Sequence, residues 1–269
     1  MSQPRTPAET YEAYFVPAMF LPWSAVLLRH AAPQSGERVL DLACGTGAVT
    51  RQVAPAVTAS GSVTGLDINP AMLAVARSLP APQGAPVTWM EGSATALPFQ
   101  DAAFDLALCQ HGLQFFPDRG KALRELRRVL APDGRAVAIV GQALEQHPVF
   151  EALMESVARR LALPLAAVSI PFALSDTDAL RALFDSAGFG AVEITPESIP
   201  LRFPQADRFV PLAVASSAAA VPAFATLESS AQAELLDAVR QETEPVVNQY
   251  RDGNDIAFPM HAYVIVAKA

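Results

Sequence analysis

The chain is poor in cysteine, aromatic rings and positive charge. Its 269 residues include two cysteines, Cys44 and Cys109. Two thiols build no disulfide framework, and they fit no metal-site spacing. Each closes an apolar run, where a small buried hydrophobe is common. Lysine and arginine number 19 against 27 acidic residues, for a formal net charge of -8. Binding the phosphates of a nucleic acid needs a basic stripe, so no nucleic-acid partner is expected. The nearest thing to a stripe is Lys121, Arg124, Arg127 and Arg128. It shares an amphipathic pattern with Leu123, Leu126, Val129 and Leu130, and so reads as the solvated face of a helix. A basic start followed by an apolar run, the mark of a secretory signal, is lacking. Pro17 and Pro22 interrupt the apolar stretch from Tyr14 to Leu28, so no membrane insertion is expected. A cytoplasmic, reduced protein is the resulting expectation.

What is present is a core-forming composition, 51% hydrophobic, arranged in alternating strand and helix patterns. Residues 1–36 read as a helical cap. Ser2 to Pro7 reads as loose. One apolar face runs over Tyr11, Tyr14, Phe15, Met19 and Phe20, and a second short helix over Trp23–His30. Residues 37–145 then alternate. Strands are expected at Arg38–Ala43, Ser62–Asp67, Val87–Glu91, Phe104–Cys109 and Arg135–Val140. Helices fall between them, at Ala48–Ala54, Ala71–Ser78 and Lys121–Leu130. Asn69-Pro70 is a helix start, a capping side chain followed by proline at the first helical position. Residues 146–269 break the rhythm. They offer a helix over His147–Leu163, a helix capped by Thr177 or Asp178, a proline-restricted edge strand over Ala191–Phe203, two helices over 206–250 and a last strand over His261–Ala267. The expected whole is one α/β domain. It has a Rossmann-like, seven-stranded, mostly parallel sheet with helices on both faces, an antiparallel last strand and helical lid additions.

The chemistry starts at Val39-Leu40-Asp41-Leu42-Ala43-Cys44-Gly45-Thr46-Gly47. A buried strand enters a glycine turn that opens a helix, which suits a nucleotide-like ligand. A dinucleotide fingerprint needs a third glycine, and Thr50 stands there. Asp41 before the loop would repel a pyrophosphate and favour a cationic ligand. Asp67, 20 residues after Gly47, ends the second strand, where a carboxylate accepts ribose hydroxyls. Together they point to a nucleoside that carries a sulfonium and no phosphate, S-adenosylmethionine.

Val39–Thr50 resembles the first motif of the class I S-adenosylmethionine-dependent methyltransferases. Leu66–Leu73 resembles their second-strand motif. Glu91–Phe99 with Phe104-Asp105 is similar to the adenine-side loop and fourth strand, and Leu126–Arg135 to the segment entering strand five. The flavour is that of the ubiquinone/menaquinone methyltransferases and other small-molecule enzymes. The resemblance implies that Asp41, Ala43, Gly45 and Gly47 cradle the methionine end. It implies that Asp67 holds the ribose, that Ile68 and Met72 flank the adenine, that Ser93 and Ala94 bond it and that Gln110 lines the methionine end. Ala43 stands where the family often has glycine, and Ser93 where it often has aspartate.

The implied activity is methyl transfer to oxygen, nitrogen or carbon of a small, largely apolar or aromatic acceptor, mainly by proximity and alignment. The product is S-adenosylhomocysteine, and no metal is expected. His111 is the candidate base, chosen because neutral imidazole suits near-neutral proton transfer. Tyr14, Phe15, Trp23, Gln114, Phe115 and His147 are the candidate acceptor pocket. The Asp252-Gly253-Asn254-Asp255 segment reads as a turn. The rival readings are a nicotinamide-dependent oxidoreductase on a related fold and a non-catalytic S-adenosylmethionine-binding protein.

Overall fold

A computed structural model describes residues 6–218 and 221–269. Of the expected loose stretch Ser2–Pro7, residues 2–5 lie outside them, as do positions 219–220, while Thr6 caps a helix that starts at Pro7. One sheet organises the chain. Its strands are β1 (Arg38–Leu42), β2 (Ser62–Asp67), β3 (Val87–Glu91), β4 (Phe104–Gln110), β5 (Leu130–Gly141), β6 (Gly190–Phe203), β7 (Arg251–Asp252) and β8 (Asp255–Lys268). They lie in the order β3-β2-β1-β4-β5-β8-β6, with β7 paired to β8 as a short hairpin. The pairs β1–β2, β1–β4, β2–β3 and β4–β5 are parallel, and β8 runs antiparallel to both β5 and β6. The mostly parallel sheet with an antiparallel last strand is thus the expected one. So is the edge position of β6, whose Pro196 and Pro200 lack the N–H that a central strand must donate.

Alternation along the central strands divides the core between the two faces. Val39, Leu106, Leu108, Val137 and Ile139 face one cluster, and Leu40, Leu42, Ala107, Cys109, Ala138 and Val140 face the other. Both faces are apolar because helices cover both, as a parallel sheet requires. Asp41 shares its face with Val39, which puts a carboxylate against the helix after the glycine turn.

Helices run over Pro7–Ala31 (α1), Ala48–Val57 (α2), Pro70–Ser78 (α3), Arg119–Val129 (α4), Pro148–Leu161 (α5), Thr177–Ser186 (α6), Ala206–Ala218 (α7) and Ser229–Val247 (α8). Local chemistry starts several of them. Asn69 accepts from the Ala71 and Met72 N–H groups, and Asp118 from Lys121 N–H. The cap of α6 is Asp176, not Thr177 or Asp178. Its carboxylate stands just outside the helix and reaches two free N–H groups.

The N-terminal region departs most from expectation. The two prolines do not split it into two helices, because Tyr11–Phe20 winds as a π-helix between α-helical ends. The wider turn absorbs Pro17, whose missing N–H and ring would break a tighter helix, and Leu21 N–H reaches back to Val16 C=O. The resulting 25-residue helix is long and apolar enough to cross a membrane by length and composition. In this fold it packs across β4, β5, β6, β8 and α2, with Trp23 and Leu27 fully buried.

Candidate active site

A cavity of about 620 Å³ opens at the carboxyl ends of β1, β2 and β4, where an open α/β sheet receives its ligand. Its size suits a small molecule bound within the fold. One end is built from Ala43 and Gly45 of the glycine turn, Asp67–Asn69 after β2, Met72, Ser93–Thr95 and Gln110. The other end is apolar, with Phe15, Met19, Phe150, Met154, Phe172 and Met260. Asp67 is the single charged side chain among the described residues that line it.

The glycine turn is held by its own acids. Gly45 N–H donates to Asp67 Oδ2 at 2.7 Å, and Asn69 N–H to Asp67 Oδ1 at 2.8 Å. An ionised carboxylate offers about four acceptor positions, so capacity remains for a ligand hydroxyl. Burial pushes the Asp67 carboxyl above the usual carboxylate range, against the pull of these N–H groups. Ala43 and Gly45 both take positive φ, 59° and 55°. At Gly45 the space a Cβ would fill is open except for the Tyr11 hydroxyl, 3.8 Å away. A ligand can therefore approach this backbone.

Asp41 does not line the cavity. It is fully buried behind the turn, where Oδ2 accepts Thr50 N–H at 2.9 Å and the Thr50 hydroxyl at 2.5 Å. The carboxylate thus occupies the positive end of α2, the place where a Rossmann fold would seat a pyrophosphate. Thr50, standing where the third glycine is missing, is the partner that locks it there. Burial pushes Asp41 up to about 7, with Thr50 pulling the other way.

Gly47 also lies outside the cavity wall. Its φ is +85°, and a Cβ there would stand 2.2 Å from Cη2 of Trp89. The demand for glycine comes from the turn and the indole, not from ligand contact.

Of the other residues expected at the cofactor end, Ile68, Met72, Ser93, Ala94 and Gln110 all line the cavity. Ile68 is 70% exposed, an apolar side chain held open at the mouth. The Ser93 hydroxyl is shared with Thr95 Oγ1 at 2.9 Å. Gln110 Nε2 donates to Phe20 C=O at 2.9 Å, which orients the amide and leaves Oε1 buried without a partner.

The expected acceptor residues separate. Phe15, Gln114 and Phe115 line the cavity, with Gln114 Oε1 buried and unpartnered. Tyr14, Trp23 and His147 do not. Tyr14 turns toward Phe15 and Phe203, with the Arg208 guanidinium over its ring. Trp23 is core packing. His147 bonds Ala143 C=O through Nδ1 at 2.9 Å and accepts His261 N–H at Nε2, 3.0 Å away. Nδ1 is spent on the loop before α5 and Nε2 on β8, so the ring is a structural brace.

His111 does line the cavity, with φ +51° and its ring edge-on to Phe20 and Trp23. Nε2 is buried with no partner. Burial, and to a lesser degree His147, pull it down to about 3, so the near-neutral titration expected from the sequence does not hold.

Tyr11 belongs to the cofactor end rather than to the acceptor side. Its hydroxyl stands over Gly45, and burial beside Asp67, Glu12 and Asp41 holds its proton on. It is placed by the Glu12–Arg51 ion pair, 3.0 Å, which ties α1 to α2, and by the Gln110–Phe20 bond. No local pattern announces these contacts, which join residues far apart in sequence. Among the described residues, no three His, Cys, Asp or Glu side chains are grouped to hold a metal ion.

Residues 39–134 match the model of a methyltransferase domain family. The chain is 33% identical over 189 residues to the demethylmenaquinone methyltransferase of Lactococcus lactis, covering 64% of this chain and 73% of that one. It belongs to the class I S-adenosylmethionine-dependent methyltransferases. The 2-phytyl-1,4-naphtoquinone methyltransferase of Synechococcus elongatus is 35% identical over 147 residues, 54% of this chain. The match spans 63% of that relative's length. The crystal structure of the YcgJ protein of Bacillus subtilis superposes with a TM-score of 0.57 at 20% identity, covering 91% of this chain and 97% of that one. That likeness is one of fold. Ala43, Gly45, Asp67, Met72, Ser93 and Gln110 of the matched region line the cavity, and that region stops before α5–α8.

Proposed function

We propose that this methyltransferase transfers a methyl group from S-adenosylmethionine to oxygen, nitrogen or carbon of a small, largely apolar or aromatic molecule. The observation that carries the reading is the charge pattern of one cavity. Its polar end has a lone carboxylate, backed by Asp41, and its far end has no charge. A cationic nucleoside fits the first, and an uncharged acceptor fits the second.

The fit of the cofactor rests on groups left unpaired. Asp67 has acceptor capacity for ribose hydroxyls, and the orphaned Gln110 Oε1 is an acceptor for an ammonium. Tyr11 and the Gly45 backbone close the methionine end, Ile68 and Met72 provide apolar faces for the adenine, and Ser93 and Ala94 edge it. When bound, S-adenosylmethionine supplies a methyl carbon already activated by its sulfonium. The chain's own work is alignment and exclusion of water. Helix α1 is latched over the turn by Glu12–Arg51 and Gln110–Phe20, and the phenylalanine and methionine wall keeps the acceptor end dry.

His111 is assigned to the acceptor. As a neutral ring in a buried position it accepts a hydrogen bond from an acceptor O–H or N–H. Negative charge developing beside it raises its affinity for the proton, so it serves as base only with the acceptor in place. A nicotinamide dinucleotide is disfavoured, because Asp41 fills the helix terminus and no lysine or arginine among the described residues lines the cavity. Calorimetry is the test. S-Adenosylhomocysteine is expected to bind and NADH not to, and the reverse result overturns the reading.

A further inference from the structure

The apolar end of the cavity stops at a thin partition. Phe150 and Met154 of α5 and Ala213 of α7 line the main cavity on one side. The same three residues also line a separate void of about 20 Å³ behind it, closed by Leu153, Val157, Val168, Val214 and Val221. Every residue around the void is apolar, so no polar group has to be desolvated to fill it. Met154 is the deformable element of the wall. It is buried, and its unbranched thioether side chain adapts to irregular space more readily than a ring or a branched chain. Phe150 is fixed by ring contacts with Phe172, Phe209 and Phe258, and Ala213 has nothing to move.

We infer that the Met154 partition sets the length of the unbranched apolar chain that the methyl acceptor carries, making Met154 a specificity-determining residue. The inference rests on the acceptor reading above. The acceptor class it names is a hydroxylated ring with a linear alkyl substituent. The ring lies on the His111 and Gln114 side, whose unpartnered Nε2 and Oε1 are suited to a hydroxyl. The chain points between α5 and α7, toward the void.

The test uses the whole protein and a series of 4-n-alkylphenols, ethyl through decyl, as probes. Affinity is measured by calorimetry with and without S-adenosylhomocysteine. Each methylene buried strengthens binding about fourfold. The gain is expected to continue until the chain meets the partition, and then to stop. Met154→Ala removes the side chain beyond Cβ and joins the two spaces, so the break moves to longer chains by two or three carbons. Ala213→Val thickens the wall from the other helix and moves the break to shorter chains. It also keeps the question open to test if Met154→Ala folds poorly. Opposite displacements support the inference. A break that stays put in a variant whose S-adenosylhomocysteine affinity is intact overturns it. Should S-adenosylhomocysteine fail to bind while the break still moves, the cofactor reading falls and the partition stands.

Discussion

Gly47 offers a prediction in which two sources of strain separate cleanly. Gly47→Ala forces an L-residue into φ +85°, which costs about 1–2 kcal/mol. It also drives a methyl to 2.2 Å from Cη2 and 2.8 Å from Cζ3 of Trp89. No atom tolerates that approach, so the indole must shift, and overpacking of this kind costs about 1–3 kcal/mol. The indole is not free to shift toward β2, because the space a Cβ would take at Gly65 lies 2.6 Å from the same ring. The sum is about 2–5 kcal/mol, a fall in melting temperature of about 5–15 °C for a chain of this size. In a Trp89→Leu background the steric part vanishes and the dihedral part stays, so Gly47→Ala should then cost only about 1–2 kcal/mol. The assay is a double-mutant cycle by urea denaturation followed by circular dichroism. Equal costs in both backgrounds, a coupling below about 0.5 kcal/mol, would refute the account. Since neither residue lines the cavity, the double variant should bind S-adenosylhomocysteine within threefold of the parent.

Asp67→Ala should weaken S-adenosylhomocysteine binding by about 1.5–3 kcal/mol, the value of hydrogen bonds to a charged group, and unchanged affinity by calorimetry would remove the ribose assignment. Asp41 titrates at about 7 in the fold against 3.8 when unfolded, so the folded state holds the extra proton between these values. Its contribution to stability is therefore present below pH 4 and is lost as pH rises toward 7, and Asp41→Asn should flatten that part of the unfolding profile. His111→Ala should lower turnover of a hydroxylated acceptor while leaving S-adenosylhomocysteine affinity unchanged, and full turnover would dismiss the base assignment.

Sequence by itself determined the sheet, most of its helices and the glycine turn. The signals are local: apolar runs where both faces are covered, Asn69 before Pro70, and a carboxylate ending β2. Most of the cofactor-end residues expected from the motifs line the cavity, because a strand and the turn that follows it leave little freedom in where side chains go. The tertiary structure decided what touches what across distance. Asp41 and Gly47 turned out to shape the turn from behind, one by filling a helix terminus and the other by yielding to an indole from β3. The π-helical turn that carries Pro17 kept α1 whole, and partners up to 90 residues away latched it over the site. His147 found β8 across 114 residues and became a brace. The acceptor end was the least legible part. Its wall joins α1, α5, α7 and β8, elements brought together by inserting β8 between β5 and β6, and apolar residues read in sequence do not say whether they line a space or fill one.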